Sequence, residues 1–237
     1  PKIKKISSLL NFDMSNVKDI KGESDLKINI DFELNKKYRI KNLIYLIDGK
    51  IPHAKFDFKE KKIIKKYLPD YKNTIIFKDS KIKLVGKKTT YSLELNGLIK
   101  TNNKFDNFNI NQIHYYNEKK FNTNGKINLT HSQINFPKLN YTKSSGKKAE
   151  IEFDFNFIKN NKFNIKKIVF ISDKTKIDIH NLELNKKFEA NDFKKLEIIT
   201  FNNGDKNNDF VVKKTDKIYI SGDIYDAQPL LKSIVKK

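Results

Sequence analysis

A chain of 237 residues with 38% hydrophobic and 12% aromatic content can bury a core, which excludes general disorder. Its formal net charge of +21 sets 49 basic against 28 acidic residues, yet Arg39 is the only arginine. With no cysteine, disulfides, thiolate metal sites and cysteine nucleophiles are excluded.

A basic chain invites nucleic acid, anionic lipid or acidic polymer. Readers of nucleic-acid sequence rely on arginine, whose planar fork pairs bidentately with guanine and phosphate, so no specific nucleic acid is expected. Lysine, asparagine and isoleucine make up nearly half of the chain. Their A/T-rich codons point to a low-GC bacterium and account for much of the charge. A membrane surface remains the expected partner for the lysines.

Taken in chain order, the first element is "DLKINIDFEL". Leu26, Ile28, Ile30, Phe32 and Leu34 share one face, and Lys27, Asn29, Asp31 and Glu33 the other. That is a strand with one dry and one wet side. "NLIYLI" and "KIPHAKFDF" read as two further strands, with Asp48-Gly49 as the hairpin turn between them. In "EKKIIKKYLPD", Ile63, Ile64, Tyr67 and Leu68 have helical spacing, and Pro69 stops the run. The spacing predicts a short helix covering one end of a sheet.

Alternation resumes at Tyr91/Leu93/Leu95, Ile127/Leu129 and Ile134/Phe136, with Asn96-Gly97 and Asn124-Gly125 as candidate turns. "AEIEFDFNF" repeats it with Ile151, Phe153, Phe155 and Phe157. Ile177/Ile179, Leu182/Leu184 and Ile218/Ile220 follow, with a turn expected at Asn203-Gly204. The chain closes on "GDIYDAQPLLKSIVKK", where the spacing changes to Leu230, Leu231, Ile234 and Val235. This predicts a helix capped by Asp226, with Pro229 in its first turn. No stretch approaches the ~20 apolar residues of a membrane-crossing helix, and an export or anchoring segment is expected outside this chain.

Chemistry-bearing patterns are sparse. His53, His114, His131 and His180 stand singly, without metal-ligand spacing. Asp31, Glu33, Glu152 and Asp154 alternate with apolar residues, as on a solvated sheet face. The reading is a non-catalytic protein with no cofactor and no metal. The one-sided apolar surface fits a two-sheet sandwich core or a single curved sheet whose dry face is a groove; both need the same alternation. A membrane barrel fits the lysine-dense "FIKNNKFNIKK" poorly.

The segment "KIYISGDIYDAQPLLKSI" resembles the close of a β-rich block in bacterial AsmA-like proteins of the TamB and YhdP type. There a strand reaches a glycine, then a polar step and an aspartate, then a helix opening on paired leucines. The matching positions are Gly222, Asp226, Leu230 and Leu231. "SDLKINIDFELNKKYRIKNLIYLIDGKI" is similar in style to the family's long strand and hairpin.

The resemblance implies an all-β fold: a long, antiparallel, strongly curved sheet forming an apolar groove, with one or two short helices including one at the C-terminus. It further implies one β-rich domain over residues 1–237, excerpted from a longer chain with an inner-membrane anchor. Such a segment would conduct phospholipid acyl chains across the periplasm and serve outer-membrane lipid homeostasis, with envelope partners unspecified. The lining would come from Leu26, Ile28, Ile30, Phe32, Leu34, Ile151, Phe153, Phe155, Phe157, Ile177 and Ile179. A closed β-sandwich binding module and a lysine-rich scaffold for anionic polymer are the competing expectations.

Overall fold

A computed structural model describes residues 17–60, 62–158, 163–185 and 190–235. Two long strands, β1 (Val17–Leu34) and β2 (Ile40–Phe58), form an extended hairpin, followed by helix α1 (Lys62–Tyr67). Strands β3 (Thr74–Lys87), β4 (Thr90–Lys100), β5 (Asp106–Tyr115) and β6 (Lys120–Asn128) come next. A small hairpin, β7 (Ile134–Phe136) and β8 (Tyr141–Lys143), is joined by one 3₁₀ turn at Pro137–Leu139. Then come β9 (Glu150–Ile158), β10 (Phe163–Ser172), β11 (Thr175–Leu184), β12 (Ala190–Asp192), β13 (Lys195–Asn202), β14 (Asp205–Lys214) and β15 (Ile218–Ile224). Helix α2 (Gln228–Val235) ends the described chain.

All strands except β7 and β8 join one antiparallel sheet of 13 strands, laid side by side almost in sequence order. Its path starts at β1 and ends at β15, which do not pair with each other, so the sheet is open and not a barrel. Apart from the β7–β8 segment, no second layer of strands covers it among the described residues. The groove expectation therefore describes the architecture, and the two-sheet sandwich does not.

Three of the four expected turns lie inside strands instead. Asp48 and Gly49 pair on both sides within β2, Asn96-Gly97 lies within β4 and Asn124-Gly125 within β6. The glycines answer a different need. A Cβ on Gly49 would sit 2.1 Å from the Asp25 carbonyl oxygen, where β1 shifts register between Glu23 and Asp25. A Cβ on Gly97 would sit 2.6 Å from the Ser80 Cα, beside the break in β3 at Asp79 (φ 47°). Bulges bend a sheet, and an inward glycine lets the bent backbones approach. Only Asn203-Gly204 turns the chain, with φ of 52° and 94° that suit a tight hairpin.

The two ends of the sheet differ. At one end the strands are joined by short turns, at residues 35–39, 88–89, 116–119 and 215–217. At the other end lie α1, the insert of residues 129–149, and α2. The insert carries Ile134, Tyr141 and Ala149 onto Phe170, Ile177, Ile198 and Phe210 of the sheet, forming the buried core cluster. Phe170 meets Phe136 edge-on at 5.4 Å and Tyr141 at 6.1 Å. Helix α1 contacts β7, and Leu68 just beyond it packs against the cluster, so α1 covers the sheet end as its spacing predicted.

Polar clasps hold the insert down. The Asp70 carboxylate accepts from Asn102 Nδ2 at 2.9 Å and from the Gln133 amide at 3.0 Å. Asn208 donates to the Leu139 carbonyl at 2.8 Å and accepts from the Asp226 amide at 3.0 Å. Asp226 in turn accepts from the Gln228 amide at 2.9 Å, capping α2, and from Asn140 Nδ2 at 2.7 Å.

The hydrogen bond from Asn140, then that from the Gln228 amide, hold the Asp226 carboxyl below its ordinary 3.8. A carboxylate with a depressed folded pKa adds stability above its unfolded pKa, and that contribution fades as pH falls through the folded value. The protection of the α2 amides, taken relative to their intrinsic exchange rates, is thus expected to stay level from pH 7 to about 4, then to fall below 3.8. The Asp226→Asn variant should lose that acid step; an unchanged acid step would assign it to other groups.

Candidate functional site

Strand alternation places every inward side chain of the main sheet on one continuous face. The register makes this concrete. Opposite Leu26 stands Gly49, followed across the sheet by Ile82, Leu95, Ile110 and Gly125. The same row continues through Phe153, Ile168, Ile179, Leu196 and Val212 to Ile220 on β15. It crosses from one free edge to the other without a polar side chain.

The outward face is charged and paired. Lys126 lies 2.6 Å from Glu150, Lys167 3.0 Å from Glu152, and Lys176 3.3 Å from both Asp178 and Glu197. The pairs on Glu150 and Glu152 are exposed and each contribute about 0–1 kcal/mol. Their main effect is to keep that face in water.

The inward face is concave. Phe77 on β3 and Phe108 on β5 meet at 5.2 Å across the intervening Gly97. Leu84 and Ile165, far from the insert along their strands, are 8% and 6% exposed although no further layer of strands lies over them among the described residues. A flat sheet would leave both open; curvature turns neighbouring rows toward each other. Aromatic rings fill the middle, with Phe121 against Phe157 at 5.1 Å and Phe155 against Phe163 at 5.0 Å.

The expected lining residues divide into three groups. Leu26, Ile28, Ile30, Phe32 and Leu34 stand on the free edge strand and are exposed, Ile30 at 60%. Ile151, Phe153, Phe155 and Phe157 are half-buried in the trough. Ile177 is buried in the cluster beneath the insert and Ile179 flanks it, so these two belong to a closed core rather than an open surface.

The closing motif is structural. Gly222 faces Phe210 at a register shift, where a Cβ would lie 2.4 Å from the Phe210 Cα. Asp226 is the cap described above, Leu231 is exposed, and the side chain of Leu230 lies outside the described residues.

One part of the inward face is polar. In the row beside the apolar one, Ile28, Ile47, Leu84 and Leu93 give way to Gln112 and Thr123 before Phe155 and Ile165. One step toward the short-turn end, Tyr91 faces His114. Gln112 Nε2 donates to the Tyr91 hydroxyl at 3.1 Å, and the Tyr45 and Tyr116 hydroxyls are 3.0 Å apart. Tyr45 reaches Tyr116 by lying over Gly86, where a Cβ would meet its ring at 1.9 Å. Burial pushes the Tyr91 hydroxyl up to about 12 and the Tyr116 hydroxyl up as well, and it pushes the His114 imidazole down, toward its neutral form.

Periodicity did not single this patch out. The available signal was "NINQIHYY", where Gln112 and His114 occupy the parity of Ile110. Among the described residues no three His, Asp or Glu side chains group as a metal site, and no helix is long and apolar enough to cross a membrane. No protein-family model matches the chain, and no curated protein or solved structure matches it significantly.

Proposed function

We propose that the inward face shields lipid acyl chains from water, making this chain a non-catalytic β-groove segment for phospholipid. The row from Leu26 to Ile220 carries the reading, because it is apolar from edge to edge while the reverse face is charged. Each methylene taken out of water contributes about 0.8 kcal/mol, so an acyl chain gains from a continuous apolar bed. The exposed β1 residues supply the accessible part of that bed. Contiguous exposed apolar surface of this kind marks binding sites in other proteins. The resemblance to AsmA-like proteins supports a place in a bacterial envelope, as one stretch of a longer inner-to-outer-membrane path.

Native mass spectrometry of gently purified protein, with extraction and identification of bound lipid, tests the proposal. Wild type is expected to carry phospholipid. Ile30→Asp should carry much less while its stability changes by no more than about 0.5 kcal/mol, since the residue is exposed. A lipid-free mass for folded wild type purified from lipid-rich cells would overturn it.

A further inference from the structure

We propose that the polar patch formed by Gln112, His114 and Thr123 on the inward face takes the carboxyl end of a single long acyl chain, a free fatty acid. This rests on the groove reading and adds a head-group site to it. Thr123 is 6% exposed, and its hydroxyl oxygen and the His114 Nδ1 have no hydrogen-bond partner among the described residues. Buried polar atoms are nearly always paired, and an orphan needs an explanation. Of the six such atoms among the described residues, these two lie together on adjacent strands of the inward face.

Their chemistry is complementary to a carboxyl group. Once the carboxylate takes up one proton from water on binding, the neutral imidazole of His114 can accept the acid hydrogen at Nδ1, while the Thr123 hydroxyl can donate to the carbonyl oxygen. Gln112 stands directly opposite Thr123 and has a second amide hydrogen beyond the one given to Tyr91. The rings of Tyr91 and Tyr116 lie 5.1 and 5.2 Å from His114 and would turn aside to admit the group.

The tail has one direction in which to lie. From His114 to Phe108 along β5 is six residues, or about 20 Å. That accommodates one membrane lipid tail, since two tails end to end span the ~30 Å hydrocarbon thickness. The insert reaches that end through His131, whose amide donates to Asp106 at 3.2 Å, two residues beyond Phe108, so the chain would stop there and not thread through. The carboxyl group then falls at the short-turn end, where the polar patch is.

The test compares cis-parinaric acid with its methyl ester by fluorescence titration of the purified protein. The chain has no tryptophan, so the probe signal is undisturbed. The acid is expected to bind at least tenfold more tightly than the ester. His114→Phe, which removes the acceptor of the acid hydrogen, should abolish that preference, whereas Thr123→Val, which removes the donor to the carbonyl oxygen that acid and ester share, should weaken both. Equal affinity of acid and ester for wild type, or a preference that survives in His114→Phe, would overturn the head-group site and leave the groove standing. Binding of neither probe would overturn the groove and this site together.

Discussion

Replacing Lys143 by methionine should destabilise the protein by about 2–4 kcal/mol, since charge-assisted hydrogen bonds are lost and one buried carbonyl is left without a donor. Lys143 is 1% exposed, and its ammonium donates to three carbonyls of the insert, those of Leu129 (2.6 Å), Thr130 (3.0 Å) and Ser132 (2.6 Å). Burial pushes the ammonium pKa down, opposed by the nearby charges of Asp106 and Asp70. Methionine removes the desolvated charge and its three hydrogen bonds; the Leu129 and Thr130 carbonyls keep the Ser132 and Gly146 amides as donors, and the Ser132 carbonyl loses its donor, at about 1–3 kcal/mol. In a chain of this length the thermal midpoint should fall by about 4–16 °C, with enhanced proteolysis within residues 129–149. A midpoint within 2 °C of wild type would mean that water or a shifted loop replaces the donor.

Phe170→Ala should cost a comparable amount, about 3–5 kcal/mol. The ring is 2% exposed and lies at the centre of the cluster between insert and sheet. Removing it leaves a cavity that Phe136 and Tyr141, held by the 3₁₀ turn and β8, cannot collapse to fill. Thermal denaturation checks the cost, and the contrast with Ile30 gives it meaning. Both side chains point to the same side of the same sheet, yet one is enclosed and the other exposed. If Phe170→Ala cost under 1 kcal/mol, the insert would not be a sealed cap, and the trough would run open through both ends.

The alternation in β1 and β9 announced strands with one dry face because period 2 is a local property of the chain. Asp226 and Pro229 likewise announced α2, since a cap needs only its own next turn. What alternation could not reveal was pairing. Leu26 and Ile220 occupy one row only through eleven successive registers, none of which is written in either strand alone. Asp48-Gly49 misled for the same reason: the glycine accommodates a bulge in β1, a neighbour remote in sequence from the local window. Ile177 and Ile28 look alike in sequence, and only the insert, arriving from residues 129–149, makes one core and the other surface. The polar patch was hidden because a histidine or glutamine at an inward position looks solvated until its row is known.

Because each strand of the sheet lies beside its predecessor in sequence, with only the insert and β12 stepping aside, assembly need not wait for the C-terminus. The β1–β2 hairpin can form from its own residues, and every later strand finds its template already at the growing edge. Contacts of such short sequence separation keep loop-closure entropy low and favour fast folding. The chain can therefore be organised progressively as it emerges from a ribosome or a translocation pore, N-terminal strands first. Closure of the core cluster comes late in that order, since Ile198 and Phe210 are among the last residues to arrive.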